Sequence, residues 1–356
     1  MTTAPPAPAV DAQRLEDFMS RAVADLAAAE SAVAGYIGDR LGLYRALADV
    51  PSATAAELAA ATGTHERLVL EWLRNQTAGG YVEHRDGRFR LPPEQALALA
   101  DDTSPVFLGG AFEILASVWA DTAKVERAFR GDGAIDWGDH DHRLYHGVER
   151  FYGPAYRGSL VQEWLPALDG VVDRLAAGAR VADVGCGYGL TTTIMAQAFP
   201  ASTFVGIDAH APSIEAARDG AVAAGVADRI RFEVRDAGDV PAEGFDLVCI
   251  FDALHDMGDP VAAAASARAA LAEDGVLMVV EPRAADDLDD NLNPVARMFY
   301  AGSTFLCTPS ALAQDGPHAL GAQAGPAVLT EVLHAAGFTD VRVAAETPFN
   351  LVLEAR

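Results

Sequence analysis

Lysine is almost missing from this chain of 356 residues: Lys124 is the only one. Basic residues as a whole are scarce, 26 against 51 acidic ones, and the net charge is −25. A polyanion is bound mainly by Lys and Arg neutralising its phosphates, so this balance argues against nucleic acid, and equally against an anionic membrane surface. Cysteine is rare too. Cys186, Cys249 and Cys307 stand far apart, without the paired spacings of a zinc site or a disulfide framework, as expected of reduced thiols in the cytoplasm. No window approaches the uncharged run of about 20 residues that spans a bilayer. The opening MTTAPPAPAVDAQ has no basic segment followed by an apolar core, so it does not read as a secretory leader. Residues 1–14 read instead as a disordered tail.

The length and a hydrophobic content of 51% suit two domains. Residues 12–50 read as helical, with Leu15, Phe18, Met19, Val23 and Leu26 at helical spacing. The stretch from Thr54 to Leu91 then predicts a short helix around Glu57–Ala61, a turn at Gly63 and a capped helix from near Thr64. That second helix carries Leu68, Val69, Trp72 and Leu73 on one face and ends at Gly79-Gly80. A hairpin of Tyr81–Glu83 and Arg88–Leu91 turns at Asp86-Gly87. Helix-turn-helix plus hairpin is a winged helix, which raises DNA binding as a reading. Residues 15–100 hold eight arginines against twelve acids, and Arg67 and Arg74 are interleaved with Glu66 and Glu71. Only Arg85, Arg88 and Arg90 of the wing favour DNA, so a dimerisation module over 15–105 is the expectation.

Residues 106–175 read as a helical connector, rich in aromatics, that covers the site. His140, His142 and His146 lie in it, but no HExxH pattern links them, and a polar loop entering a helix explains them. No metal is expected. From about Ala179, apolar strands alternate with helical segments: RVADVG, TFVGID, IRFEVRD, FDLVCIF, GVLMVVEP, VRVAAET and NLVLEAR. This is the pattern of an α/β, doubly wound parallel sheet, the last two strands forming an antiparallel hairpin.

VADVGCGYG, Val181 to Gly189, runs a strand into a glycine-rich turn and a helix from near Leu190. Gly185, Gly187 and Gly189 permit unusual backbone angles and close approach of a ligand. The dinucleotide fingerprint G-x-G-x-x-G fails, because position 190 is Leu. Asp183, just before the glycines, suits an ammonium better than a pyrophosphate. Asp208 ends the second strand, where it can accept from both hydroxyls of a ribose. Asp236 follows the third, where it can accept from an adenine amino group, with the Ala237 amide donating to the ring. Open α/β sheets bind ligands at the carboxyl ends of successive strands.

With DVGCGYG, Asp208 and the RDA at Asp236 in place, the chain resembles the class I S-adenosylmethionine-dependent methyltransferases. Nearly the whole chain from about residue 15 is similar to actinobacterial members with an N-terminal winged helix, through ELAAATGTHERLVLEWLRNQTAGGYVE, LHDMGDP, NLNPVARMFYAGSTFLCTPSALAQ and TPFNLVLEAR. The resemblance implies a seven-stranded Rossmann-like methyltransferase domain over 176–356 and a homodimer through the N-terminal domain, as in plant-type small-molecule O-methyltransferases. It implies S-adenosylmethionine as cofactor, bound by Asp183, Gly185, Gly187, Asp208, Ala209, Asp236, Ala237, Phe251, Asp252 and Tyr152. It implies a hydroxyl on a small, natural-product-like molecule as acceptor.

In plant-type members a His-Asp pair follows the fourth strand, and the histidine deprotonates the acceptor. Here the pair is His255-Asp256, with Met257 in place of the usual tryptophan. Glu281 and the run ADDLDDN are candidates for orienting the histidine. The competing reading has His255 and Asp256 capping the next helix, with Asp259-Pro260 at its start. Tyr156, Tyr300, Ser303, Cys307 and Asn350 are candidates for the acceptor pocket, with Phe151 beside Tyr152. C-, N- or S-methylation on the same scaffold, or a cofactor-sensing DNA regulator, are the alternatives.

Overall fold

The computed structural model describes residues 10–356, so most of the expected tail lies outside the described residues. The first helix, Ala12–Arg40, takes up residues 12–14 because the Asp11 carboxylate caps it, accepting from the amides of Gln13 and Arg14. The chain divides into two compact units, the first ending at Ala116 and the second covering Ser117–Arg356. The division falls inside a continuous helix, Gly109–Arg130, rather than at 105/106.

In the first unit, Thr54 and Glu57 form a reciprocal capping box on the helix Ala55–Thr62, which stops at Gly63 in a left-handed conformation. The next helix, Glu66–Ala78, is capped by the His65 ring, whose Nδ1 accepts from the Arg67 amide, and not by Thr64. Val69, Trp72 and Leu73 are buried, whereas Leu68 is 70% exposed, because it sits off the buried arc of that helix. The wing consists of β1 (Glu83–Arg85) and β2 (Arg88–Arg90). Its turn has positive φ at both Asp86 and Gly87, which matches the twist of a two-residue hairpin. Pairing begins two residues later than Tyr81. The wing arginines all face carboxylates: Arg88 holds Glu57 at 2.7 Å, Arg90 lies 3.7 Å from Glu83, and Arg85 3.5 Å from Asp86.

The second unit is built on a seven-stranded sheet. Its strands are β3 (Arg180–Val184), β4 (Thr203–Asp208), β5 (Ile230–Val234), β6 (Phe245–Phe251), β7 (Leu271–Pro282), β8 (Val341–Glu346) and β9 (Asn350–Ala355). Their order is β5-β4-β3-β6-β7-β9-β8, with β9 antiparallel to both neighbours. Successive residues of a strand face opposite layers. Leu247 and Cys249 of β6 with Met278 and Val280 of β7 pack into the layer holding Trp164 and Met195. Val248 and Ile250 with Leu277 and Val279 pack against Ala264, Ala267 and Leu333 on the other face. Both faces are covered, which is why these strands read as unbroken apolar runs. Among the described residues, no helix is long and apolar enough to cross a membrane.

Strand order decides where the chemistry can sit. β3 and β6 are adjacent and parallel, and β7 lies beside β6. Pro282 at the end of β7 pairs with Asn350 at the start of the antiparallel β9. The residues that follow β3, β4, β6 and β7 therefore meet at one edge, joined by the first residue of β9.

Candidate active site

At that edge the chain leaves β3 through three glycines of positive φ: 75° at Gly185, 52° at Gly187 and 72° at Gly189. The amides of Gly185 and Cys186 donate to the Ile207 carbonyl, tying the turn to the end of β4. A Cβ at Gly185 would lie 2.8 Å from Ala253, and one at Gly189 2.6 Å from Phe232. At Gly187 it would meet nothing within 4 Å. Close packing thus excludes side chains from the outer two glycines, and the middle one leaves a bare stretch of backbone open.

Asp183 is fully buried on β3. The hydroxyls of Thr191 and Thr192 both donate to its Oδ2 at 2.6 Å, while Oδ1 is buried without a partner. Burial pushes this carboxyl up to about 6, against the two hydroxyls that pull it down. Asp208 accepts from the Gly187 amide at 2.9 Å through Oδ2 and from the His210 amide at 2.8 Å through Oδ1, and burial raises it as well. Asp236 is exposed, its Oδ1 accepting from the Gly238 amide at 2.7 Å. Ala209 is exposed beside Asp208, and Ala237 is half-buried.

His255 lies in a single 3-10 turn, Leu254–Asp256, just past β6, and is 2% exposed. Its Nδ1 is in very short contact with Glu281 Oε2, while Glu281 Oε1 accepts from the Leu254 amide at 2.9 Å. Of the candidate acids, Glu281 is the one in contact with this histidine. In the ADDLDDN run, Asp286 accepts from the Ala327 amide at 2.8 Å, and Asp289 and Asp290 are exposed. Nor does Asp256 cap the following helix, Pro260–Ala270; Asp259 does, accepting from the Ala262 amide. Asp256 Oδ1 lies 3.2 Å from His255 Nε2 but is not aligned as a hydrogen-bond acceptor. Burial alone would push the imidazole down. The Glu281 and Asp256 carboxylates outweigh burial and hold it well above its usual value.

The helix Arg143–Ser159 brings aromatic side chains to Asp252. Tyr156 is buried and donates to Asp252 Oδ2 at 2.6 Å. Tyr152 stacks on Tyr156 with ring centroids 5.9 Å apart, and Phe151 meets Tyr152 edge-on. Asn350 donates to Asp252 Oδ1 at 3.2 Å. Asp252, next to buried Phe251, has a φ of 48°, rare for a residue with a side chain, and the two donors hold it there. Burial and the nearby Glu281 push its carboxyl up to about 7. Cys307 ends a π-helical turn, Ser303–Cys307, and its sulfur lies within 4.8 Å of ligand atoms of His255 and Asp256. Ser303 bonds to Thr308 Oγ1 at 3.2 Å and accepts from the Ala322 amide at 3.2 Å. Tyr300 is 36% exposed and is not brought to the histidine by any contact among the described residues. His140 is buried, its Nδ1 3.2 Å from Asp121, and so is not part of a merely polar loop.

Residues 175–327 match a methyltransferase domain family, and residues 29–101 an Rv2258c-like winged HTH domain. The chain joins a winged helix-turn-helix domain to a methyltransferase domain. Asp183, the glycine turn, Asp208, Asp236, His255, Glu281 and Cys307 all fall within that methyltransferase domain; Asn350 lies beyond the matched residues. Among curated proteins, 27-O-demethylrifamycin SV methyltransferase of Amycolatopsis mediterranei is 38% identical over 97 residues, covering 25% of this chain and 35% of the relative. The chain spans less than half the length of the curated relatives it matches. Among solved structures, the mitomycin 7-O-methyltransferase superposes with a TM-score of 0.69 at 21% identity, covering 97% of this chain and 99% of that one. Human N-acetylserotonin methyltransferase, solved with S-adenosylmethionine, gives 0.66 at 18% identity, covering 99% of each. These likenesses extend the shared fold over nearly the full length.

Proposed function

We propose that this protein is an S-adenosylmethionine-dependent O-methyltransferase acting on a hydroxyl of a small molecule. The observation that carries the reading is the buried His255–Glu281 pair beside the glycine turn. The cofactor fits the residues present. The Asp183 oxygen buried without a partner suits an ammonium, the bare backbone at Gly187 suits a close ligand, and Asp208 keeps spare lone pairs for two ribose hydroxyls. Asp236 and the Ala237 amide would hold adenine, with Ala209, Phe251, Asp252 and Tyr152 completing the cradle. When bound, S-adenosylmethionine supplies an electrophilic methyl group.

The chain's own work is orientation and proton removal. In-line displacement depends largely on holding the nucleophile in line, and Tyr156, Cys307 and the aromatic helix above the site supply walls for that. The Glu281 carboxylate holds one proton on Nδ1, so once the raised imidazole gives up its other proton, Nε2 is the acceptor for the hydroxyl proton. The same carboxylate strengthens His255 as a base. Incubation with methyl-labelled S-adenosylmethionine and a panel of phenols and natural-product alcohols tests the reading. Label recovered in an ether supports it; label recovered only on nitrogen, sulfur or carbon overturns it.

Cofactor affinity should depend on pH through Asp183. An ammonium partner needs the ionised carboxylate, and this carboxyl titrates near 6, so binding strengthens as pH rises through that value. At pH 5, affinity for S-adenosylhomocysteine should be about tenfold weaker than at pH 7.5. Calorimetry checks this, and an equal affinity at both pH values would remove Asp183 from the ammonium site.

The same reading makes the protein a homodimer through its N-terminal domain. Leu15, Phe18, Met19, Val23, Leu26 and Val33 form an exposed stripe at helical spacing on Ala12–Arg40, an apolar face of the kind that a second copy covers. Sedimentation of the full chain should give twice its 37.3 kDa; a monomer at micromolar concentration would refute the assignment.

A further inference from the structure

The chemistry around His255 goes beyond a base. The ligand atoms of His255, Asp256 and Cys307 all lie within 4.8 Å of one another, with His255 Nε2 and Asp256 Oδ1 3.2 Å apart. Zinc bonds of about 2.0–2.3 Å in a tetrahedral site place neighbouring ligand atoms roughly 3.3–3.8 Å apart. The imidazole nitrogen and the carboxylate oxygen are thus at the spacing that a zinc-class ion imposes, the sulfur stands within 4.8 Å of both, and a soft sulfur selects such an ion over magnesium or calcium.

The surroundings point the same way. Glu281 holds His255 through Nδ1, which leaves Nε2 as the free ligand atom and repeats the carboxylate–histidine arrangement found behind metal-bound histidines. Asp256 Oδ1 is buried with no hydrogen-bond partner. Asp252, Asp256 and Glu281 gather around one imidazole, a concentration of acidic groups that a cation relieves. The sulfur belongs to the last residue of a π-helical turn, Ser303–Cys307, set between the helices Pro294–Gly302 and Thr308–Leu312.

We propose that His255, Asp256 and Cys307 form a three-ligand site for a zinc-class divalent cation, with a fourth position open to water or an acceptor oxygen. The site rests on this geometry and not on the methyl-transfer reading. The two are linked in one respect: an ion on Nε2 occupies the lone pair that would receive the acceptor proton. Metal loading and the base role exclude each other, so the ion acts as an inhibitor of the proposed transfer.

The test uses the full chain and needs no turnover. Equilibrium dialysis against micromolar Zn2+ should give one equivalent per chain. Co2+ in its place should give visible d–d bands and a thiolate-to-cobalt charge-transfer band. Cys307→Ala should abolish the charge-transfer band, and both Cys307→Ala and Asp256→Asn should weaken Zn2+ binding at least tenfold, with circular dichroism and S-adenosylhomocysteine binding reporting that each variant is folded. Absence of stoichiometric binding in the wild type overturns the proposal. So does binding that either folded variant leaves unchanged, which would place the ion elsewhere on this acidic surface. Because S-adenosylhomocysteine binding is read in the same samples, a missing metal site and a missing cofactor site are told apart.

Discussion

Asp208→Ala is expected to weaken S-adenosylhomocysteine binding about a hundredfold. In the proposed complex its carboxylate accepts from two ribose hydroxyls, and hydrogen bonds to a charged acceptor contribute roughly 1.5–3 kcal/mol each. A loss of about 3 kcal/mol corresponds to a factor of about a hundred. The carboxylate also holds the Gly187 amide at 2.9 Å and the His210 amide at 2.8 Å, so alanine frees the turn that the cofactor must meet. Both effects weaken binding. Asp208→Asn keeps one acceptor oxygen and should lose less, which separates hydrogen bonding from general disruption. Calorimetry with unchanged melting temperature is the measurement. An affinity within threefold of the wild type would mean that the ribose lies elsewhere, and with it the assignment of the β4 end would fall.

A residue of this site is legible in the sequence where its meaning is local. The strands β3, β4, β6 and β7 are buried on both faces and announce themselves as apolar runs, and glycine marks the turn after β3 wherever the sheet is placed. The wing turn at Asp86-Gly87 is legible for the same reason: its positive φ angles need those two residues. Glu281 is different. It is one acid near the end of a long apolar strand, and only the strand order, which sets β7 beside β6, brings it to His255. Asn350 needs the antiparallel insertion of β9 to reach Asp252, and Cys307 lies in a π-helical turn that no spacing rule announces. Leu68 stands four residues before Trp72, as a buried helical position would, but the arc that packs is set by the partner elements and leaves it exposed. Thr191 and Thr192 donate to Asp183 without any motif naming them, and two hydroxyls in the first turn after a glycine loop are the signal that would find them.

His255→Ala should lower kcat by about 10²–10⁴-fold, the range over which a positioned general base acts, while leaving S-adenosylhomocysteine affinity nearly unchanged. The split follows from geometry. His255 sits past β6 on Glu281, whereas the glycine turn is tied to β4 through Ile207 and Asp208, so removing the imidazole leaves the cofactor's partners in place. Alanine also leaves Glu281 buried without its principal partner, which costs stability, because an unpaired buried carboxylate is expensive. His255→Gln occupies much of the same space and restores a donor toward Glu281 without supplying a base. If glutamine recovers the melting temperature but not turnover, the histidine works by taking a proton. If glutamine recovers turnover as well, His255 is a structural side chain, and the acceptor hydroxyl ionises without help from this residue.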